Sequence, residues 1–183
     1  MPRTEIRWHG RGGQGAVTAA IIVAQAAIFE GKYAQAYPEF GAERRGAPVC
    51  AYSRVSDEPI YTRAPITKPD VVVVLDPTLS KDIYMKGLKS GGLLLINTKK
   101  SVDEVKKMVG RDDIKVATVD ATSIALQTLG APIVNTAMVG ALVKVLPIVK
   151  LESVEKAISE NFSGRIAEAN IQAVRKAYES VVW

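Results

Sequence analysis

The chain has 183 residues, of which 48% are hydrophobic and 23% charged, a balance typical of a folded globular domain. Its formal net charge of +5 favours an anionic ligand or partner, but its lysines are scattered without interleaved aromatic residues, which disfavours nucleic acid. With one cysteine, Cys50, and one histidine, His9, the chain alone has neither a disulfide, nor the thiolates for an iron–sulfur cluster, nor the usual ligands of a zinc site.

The N-terminus shows no basic segment followed by an apolar core and a cleavage site, and the apolar stretch at 16–29 is too short to cross a membrane. We therefore expect a cytoplasmic protein with no membrane contact. Because no repeat, low-complexity tract or linker interrupts the chain, we expect a single domain over residues 1–183.

The predicted elements alternate between strands and helices. In chain order they are strand 4–8, helix 15–30, strands 33–37 and 48–55, a turn at 56–58, a short strand at 59–63, strand 70–75, helix 78–88, strand 92–96, helix 101–109, strand 114–119, and helices at 121–129, 135–147, 151–161 and 164–180.

The strand DVVVVLD (70–76) is apolar throughout, which is typical of a strand covered on both faces. We expect an α/β fold of three layers, a mostly parallel sheet between two helix layers, with an antiparallel hairpin at 48–63. The functional site of such a sheet lies at the carboxyl ends of its parallel strands.

A glycine-rich loop, HGRGGQGA (9–16), follows the first strand and opens into a helix, matching G-x-G-x-x-G through Gly10, Gly12 and Gly15. Glycine permits close backbone approach, and a helix start presents free N–H groups to an anion. Ala16 and Val17 stand where a Walker loop needs Lys and Ser or Thr, which excludes nucleotide hydrolysis. His9, alone after a strand, is typical of a structural residue.

Two interpretations of this loop remain open, binding of an anion or partner and simple close packing of helix on strand. Gly13 and Gln14 exceed what packing needs, which favours binding. A nicotinamide site would want an acidic residue such as Glu39, but that residue enters a Pro- and Gly-punctuated loop with no crossover helix, a departure from the dinucleotide fold.

A second motif, PEFGAERRGAPV (38–49), carries two adjacent arginines, Arg44 and Arg45, near the carboxylates of Glu39 and Glu43. Arginine forks hold phosphates or carboxylates bidentately. The arginines either bind an anionic ligand or form an internal ion-pair network, and Glu43 can orient one while the other faces the ligand.

The two motifs together resemble the gamma subunit of 2-oxoacid:ferredoxin oxidoreductases, of which pyruvate:ferredoxin oxidoreductase is the best-known member. The segments SRVSDEPI (53–60), VVVVLDPTL (71–79) and VDATSIALQTLGAPIVNTAMVGAL (119–142) agree, so the resemblance covers nearly the whole chain.

The resemblance implies a heterotetramer in which this chain assembles with alpha, beta and delta subunits and closes over the coenzyme A side of the site. The complex oxidatively decarboxylates a 2-oxoacid, with pyruvate as the expected one, to acyl-CoA and CO2, and passes the electrons to ferredoxin. Thiamine diphosphate and 4Fe–4S clusters belong to the partner subunits, so we expect no cofactor, metal or catalytic residue on this chain. The choice of oxoacid is expected to lie with the thiamine-binding subunits.

The expected contacts to CoA or another anion come from the two motifs: Gly12, Gly13, Gln14, Gly15, Arg44 and Arg45. Arg11 and Glu43 are expected to support them, while Asn135 either caps a helix or faces the carboxyl edge of the sheet. Two alternatives remain, a stand-alone nicotinamide- or flavin-binding oxidoreductase and a non-catalytic interaction module whose glycine loop meets another subunit.

Overall fold

The computed structural model describes residues 2–39 and 44–183, and its centre is one six-stranded sheet. The strands are β1 (Thr4–Arg11), β2 (Tyr33–Pro38), β3 (Pro48–Ser56), β4 (Val71–Val74), β5 (Leu93–Asn97) and β6 (Lys115–Val119). They are arranged in the order β2–β3–β1–β4–β5–β6. β1, β4, β5 and β6 are parallel, whereas β3 runs antiparallel to both its neighbours. The expected α/β class with a mostly parallel sheet is confirmed.

Helices cover both faces of the sheet. They are α1 (Ala16–Phe29), α2 (Lys81–Tyr84), α3 (Val102–Val109), α4 (Ala121–Leu129), α5 (Asn135–Val145), α6 (Leu151–Asn161) and α7 (Gly164–Ser180). No helix in ranges 2–39 and 44–183 is long and apolar enough to cross a membrane.

The two helix layers explain why the central strands are apolar throughout. On β4, Val71 and Val73 pack into the larger core, with α1 and α4–α7, while Val72 and Val74 pack into a smaller core with α2 and α3. Successive strand residues point to opposite faces, so a strand buried on both sides needs apolar residues at every position.

The second face is polar where α2 and α3 do not cover it. Above β1 and β3 it carries the buried side chains of Arg7, His9 and Arg54. The Arg7 guanidinium donates to the carbonyl oxygens of Ile66 and Tyr84. The bond to Ile66 fastens the segment after β3 to the sheet, and the bond to Tyr84 fastens the end of α2.

The hairpin predicted at 48–63 is wrong in its second strand, because residues 59–63 form no strand. Both edges of β3 are already occupied, by β1 with Thr4 opposite Val55 and by β2 with Tyr33 opposite Ser56. The antiparallel partner of β3 along the chain is therefore the preceding strand, not the following one.

The helix predicted at 78–88 is also wrong in extent, since α2 has four residues. Ser80 caps its start, its side chain accepting the Asp82 N–H at 3.3 Å. Beyond its end, Gly87 has φ of +78° and a side chain there would collide with the Thr67 carbonyl oxygen. A backbone turn of this kind cannot continue a right-handed helix.

Candidate anion-binding site

A cleft beside the two sequence motifs lies at the carboxyl ends of β1, β4 and β5. At β1 the connections change direction, because the chain first builds β2 and β3 on one side and then β4 to β6 on the other. The carboxyl-edge cleft, as we call it, has a volume of about 570 Å3. Its lining is Gly12, Gly13, Gln14, Arg45, Leu75, Asp76, Pro77, Asn97, Thr122, Ala131, Pro132, Ile133 and Val134. Ligands of open α/β sheets bind at such reversals.

The two motifs meet in backbone contact. β1 continues through Arg11, further than predicted, and Gly12 then donates its N–H to the Ala47 carbonyl oxygen at 2.9 Å. The Gly46 N–H donates in turn to the Gly12 carbonyl oxygen at 3.2 Å. A side chain on Gly12 would collide with the Arg44 carbonyl oxygen. Close packing therefore explains the glycine at position 12. It packs against residues 44–47 of the second motif, which we call the arginine motif.

Gly13 and Gly15 are glycines for a different reason. Gly13 is exposed with φ of +92°, and no neighbour in the described part of the chain would meet an added Cβ, so the backbone turn is what requires glycine there. Gly15 has φ of +84° and precedes α1, whose first turn has no capping side chain and no acidic residue. The partial positive charge of that helix start is therefore not offset by a side chain of the first turn.

Asn135 lies behind the loop and does not line the cleft. It is buried at the start of α5, where its Oδ1 accepts the Thr136 N–H at 2.9 Å, and a side chain on Gly15 would collide with its amide. Asn135 is the first residue of α5, with Val134 at the cap position and no side-chain cap hydrogen bond, so the expected cap is not formed.

Arg44 and Arg45 are both exposed, and Arg45 lines the cleft. Among residues 2–39 and 44–183, no carboxylate pairs with either guanidinium. Glu43, expected to orient them, lies outside the described residues.

Two polar residues of the cleft, Asp76 and Asn97, are not among the site residues predicted from the sequence. Asp76, directly after the apolar run of β4, accepts the Gln14 amide at 2.8 Å and lies 3.2 Å from the Arg11 Nε. Asn97 ends β5, donates to the Leu75 carbonyl oxygen at 2.9 Å and accepts the Ala121 N–H at 3.0 Å. The signal for both was a polar residue at the carboxyl end of an apolar strand.

The single histidine is not in this cleft. His9 is buried and its Nε2 accepts the Arg7 Nε–H at 2.8 Å. Burial, with a smaller contribution from the Arg7 charge, lowers the pKa of His9 to about 3, so the ring is neutral at physiological pH. Over the ranges described, no group of three His, Cys, Asp or Glu side chains could hold a metal ion.

These features define a class, an α/β protein with a glycine loop and two exposed arginines at the carboxyl edge of its sheet. The sequence matches the family model for pyruvate ferredoxin/flavodoxin oxidoreductase over residues 5–180. The chain belongs to that family.

The alignments with relatives span almost the whole length of both chains. The pyruvate/ketoisovalerate oxidoreductases common subunit gamma of Thermococcus litoralis is 54% identical, over 97% of each chain. Pyruvate synthase subunit PorC of Methanothermobacter thermautotrophicus is 52% identical, over 97% of this chain and 95% of its own. The family resemblance expected from the sequence is thus confirmed, and the stand-alone oxidoreductase is not favoured.

Solved structures agree with the fold. Pyruvate oxidoreductase subunit PORC from Thermotoga maritima matches with a TM-score of 0.89 and 46% identity, over 100% of this chain and 98% of its own. The 2-oxoglutarate:ferredoxin oxidoreductase of Magnetococcus marinus, solved with 2-oxoglutarate, coenzyme A and succinyl-CoA bound, matches with a TM-score of 0.81 and 18% identity. The match covers 98% of this chain and 31% of that one, and it shows the fold alone.

Proposed function

We propose that this chain is the gamma subunit of a 2-oxoacid:ferredoxin oxidoreductase acting mainly on pyruvate, and that its carboxyl-edge cleft holds coenzyme A. The observation that carries the CoA role is the pair Arg44 and Arg45, exposed beside the glycine loop with no carboxylate partner among the described residues. Free guanidinium groups beside an uncapped helix start suit the phosphates of CoA.

The cleft has two chemically different walls, which fit the two parts of CoA. Arg45 and the glycine loop form the polar wall, and the segment 131–134 (APIV) forms the apolar one. The phosphates are placed on the arginine side, and the pantetheine arm extends along the apolar wall towards the partner subunits.

Electron transfer and decarboxylation are assigned to the alpha, beta and delta subunits. A 4Fe–4S cluster needs about four thiolates, and this chain has one cysteine, Cys50. Burial raises the pKa of the Cys50 thiol to about 12. The residues of this chain therefore do not fit a cluster, and both clusters and thiamine diphosphate belong to its partners, with ferredoxin as the final acceptor.

The oxoacid is selected by the partners as well. Four relatives, 54–56% identical to this chain, are named as a gamma subunit common to pyruvate and ketoisovalerate oxidoreductases. A subunit shared by two enzymes supports a role on the CoA side, which both reactions have in common.

The test is to prepare Arg44→Ala and Arg45→Ala separately, reconstitute the complex, and titrate CoA and oxoacid at one salt concentration. A hydrogen bond to a charged group contributes roughly 1.5–3 kcal/mol, so each lost contact raises the CoA half-saturation roughly ten- to a hundredfold. The oxoacid half-saturation stays unchanged. Arg165→Ala, an exposed arginine on α7, is the matched control and leaves both values as they are.

An unchanged CoA titration in two assembled variants would contradict the proposal. If those variants assembled more weakly instead, the cleft would be a contact for another subunit, and the interaction-module alternative would stand.

A further inference from the structure

Asp76 stands at the centre of a hydrogen-bonded group that joins the glycine loop to the end of β4. We call Arg11, Gln14, Asp76 and Thr78 the Asp76 latch. The Gln14 Nε2 donates to the Asp76 Oδ2 at 2.8 Å, and the Gln14 Oε1 accepts the Arg11 backbone N–H at 2.6 Å. The other carboxylate oxygen, Oδ1, accepts the Thr78 N–H at 2.9 Å and its hydroxyl at 2.6 Å.

The polarity of these bonds is fixed. An ionised carboxylate only accepts and a backbone N–H only donates, so the Gln14 amide has one orientation that satisfies both partners. Both ends of the amide are therefore engaged within the protein. Gln14 thus holds the shape of the loop with its Oε1 and one N–H, while the second N–H of its amide takes no part in these two bonds.

The latch extends to the arginine motif through the side chain of Arg11. Its Nε lies 3.2 Å from the Asp76 Oδ2, its Nη2 donates to the Thr78 hydroxyl at 3.0 Å, and its Nη1 donates to the Gly46 carbonyl oxygen at 3.3 Å. Gly46 directly follows Arg45. One carboxylate thus connects β4, the glycine loop and the arginine motif.

The charge of Asp76 also decides which cations remain available. Burial favours the protonated acid, but hydrogen bonds from Thr78 and Gln14, together with the Arg11 charge, lower the pKa of Asp76 below its ordinary value. The ionised Asp76 compensates Arg11, whereas no carboxylate among the described ranges 2–39 and 44–183 pairs with Arg44 or Arg45. Phosphate groups are directed to the arginine motif and away from Arg11.

We propose that Asp76 is a positioning residue for CoA, one that does not touch the coenzyme but holds the glycine loop and Arg45 in the geometry that binds it. This inference rests on the proposed function, because it assumes that CoA occupies the carboxyl-edge cleft. A purely structural Asp76 would affect stability and assembly but not the affinity for CoA in particular.

The test uses Asp76→Asn in the reconstituted complex. The Asn oxygen can still accept from Thr78, but its NH2 group would face the Gln14 NH2 group, so the latch opens with almost no change of volume. We expect the CoA half-saturation to rise about tenfold, because the glycine loop is no longer held in its binding geometry by the charge-assisted hydrogen bond between Gln14 and Asp76. The kcat at saturating CoA and the oxoacid half-saturation remain unchanged.

The double variant Gln14→Glu/Asp76→Asn is the rescue. The carboxylate introduced at position 14 accepts the Arg11 N–H with one oxygen and the NH2 group introduced at position 76 with the other. The bond is thereby restored with reversed polarity, and the pair keeps one negative charge. Gln14→Glu alone places two carboxylates together and raises the CoA half-saturation as well. We expect the CoA half-saturation of the double variant to return to within about threefold of the native value, because substitutions at two contacting residues are not additive.

Asp113→Asn is the matched control, since Asp113 pairs with Arg111 at 2.6 Å on the surface and takes no part in the cleft. It leaves the CoA titration unchanged. The proposal is overturned if Asp76→Asn fails to assemble, if it assembles with a native CoA half-saturation, or if the double variant shows no recovery. If Asp76→Asn has a native CoA half-saturation while Arg45→Ala has a raised one, the role of the Asp76 latch is rejected and CoA binding in the cleft stands. If both variants have native values, CoA binding in the cleft is rejected as well.

Discussion

At the scale of single residues, the glycines of the loop are needed for different reasons. At Gly13 the reason is the backbone conformation and not close packing. Its φ is +92° and, within ranges 2–39 and 44–183, no atom beyond its two chain neighbours lies within 4 Å of an added Cβ. Asn enters the left-handed region readily, whereas a β-branched residue does not. We therefore expect Gly13→Asn to lower the free energy of unfolding by less than about 1 kcal/mol and Gly13→Val by about 1–3 kcal/mol, measured by urea denaturation. Equal losses would mean that space, not φ, restricts this position.

His9 predicts an acid-sensitive fold. Its pKa is about 3 in the folded chain against 6.5 ordinarily, because burial and the Arg7 charge disfavour the imidazolium. Between these values the unfolded chain takes up a proton that the folded chain does not, so stability falls as the pH falls, by up to about 1.4 kcal/mol per pH unit.

The variant His9→Gln keeps an acceptor for the Arg7 Nε–H and removes the titration. We expect its free energy of unfolding to fall less steeply than that of the native chain as the pH is lowered from about 6.5 towards 4. Denaturant titrations of both proteins across this range measure the difference, and parallel curves would show that His9 is not the group responsible.

At the scale of elements, the contact between α5 and α7 depends on Gly140. A side chain there would collide with the backbone of Val174, mainly its carbonyl oxygen. At a solvent-exposed position inside a helix, Gly→Ala stabilises the helix by about 1 kcal/mol. At Gly140 the added methyl group instead forces two packed helices apart. We expect Gly140→Ala to destabilise the chain by roughly 1–3 kcal/mol, measured as the free energy of unfolding. A gain in stability would show that the two helices separate easily.

The elements also show what sequence reasoning reached. Apolar runs such as 71–74 and 93–97 predicted buried parallel strands correctly, because burial on both faces leaves no freedom in residue type. The partner of β3 could not be predicted, since strand pairing depends on which edges other strands have already taken. The same applies to the bond between Gln14 and Asp76, which joins residues 62 positions apart in the chain.

At the scale of the whole molecule, the proposed role of this chain in CoA binding makes a quantitative prediction. Because the proposed CoA contacts do not involve the oxoacid, Arg45→Ala should raise the CoA half-saturation by the same factor whether the complex is assayed with pyruvate or with a branched-chain oxoacid. Parallel CoA titrations with the two substrates measure this. A factor that differs more than about threefold, some 0.7 kcal/mol, would place part of the oxoacid selectivity on this chain.

The arrangement of the first three strands also constrains how the chain is made. β3 separates β1 from β2, and β1 and β2 do not pair with each other. During synthesis, therefore, no native strand pair can form until residues 48–56 have left the ribosome. Until then the nascent chain carries two unpaired strands and the apolar helix between them, the kind of exposed edge that recruits other chains. A translational pause before β3 should thus favour aggregation or chaperone binding, while a pause after it should not.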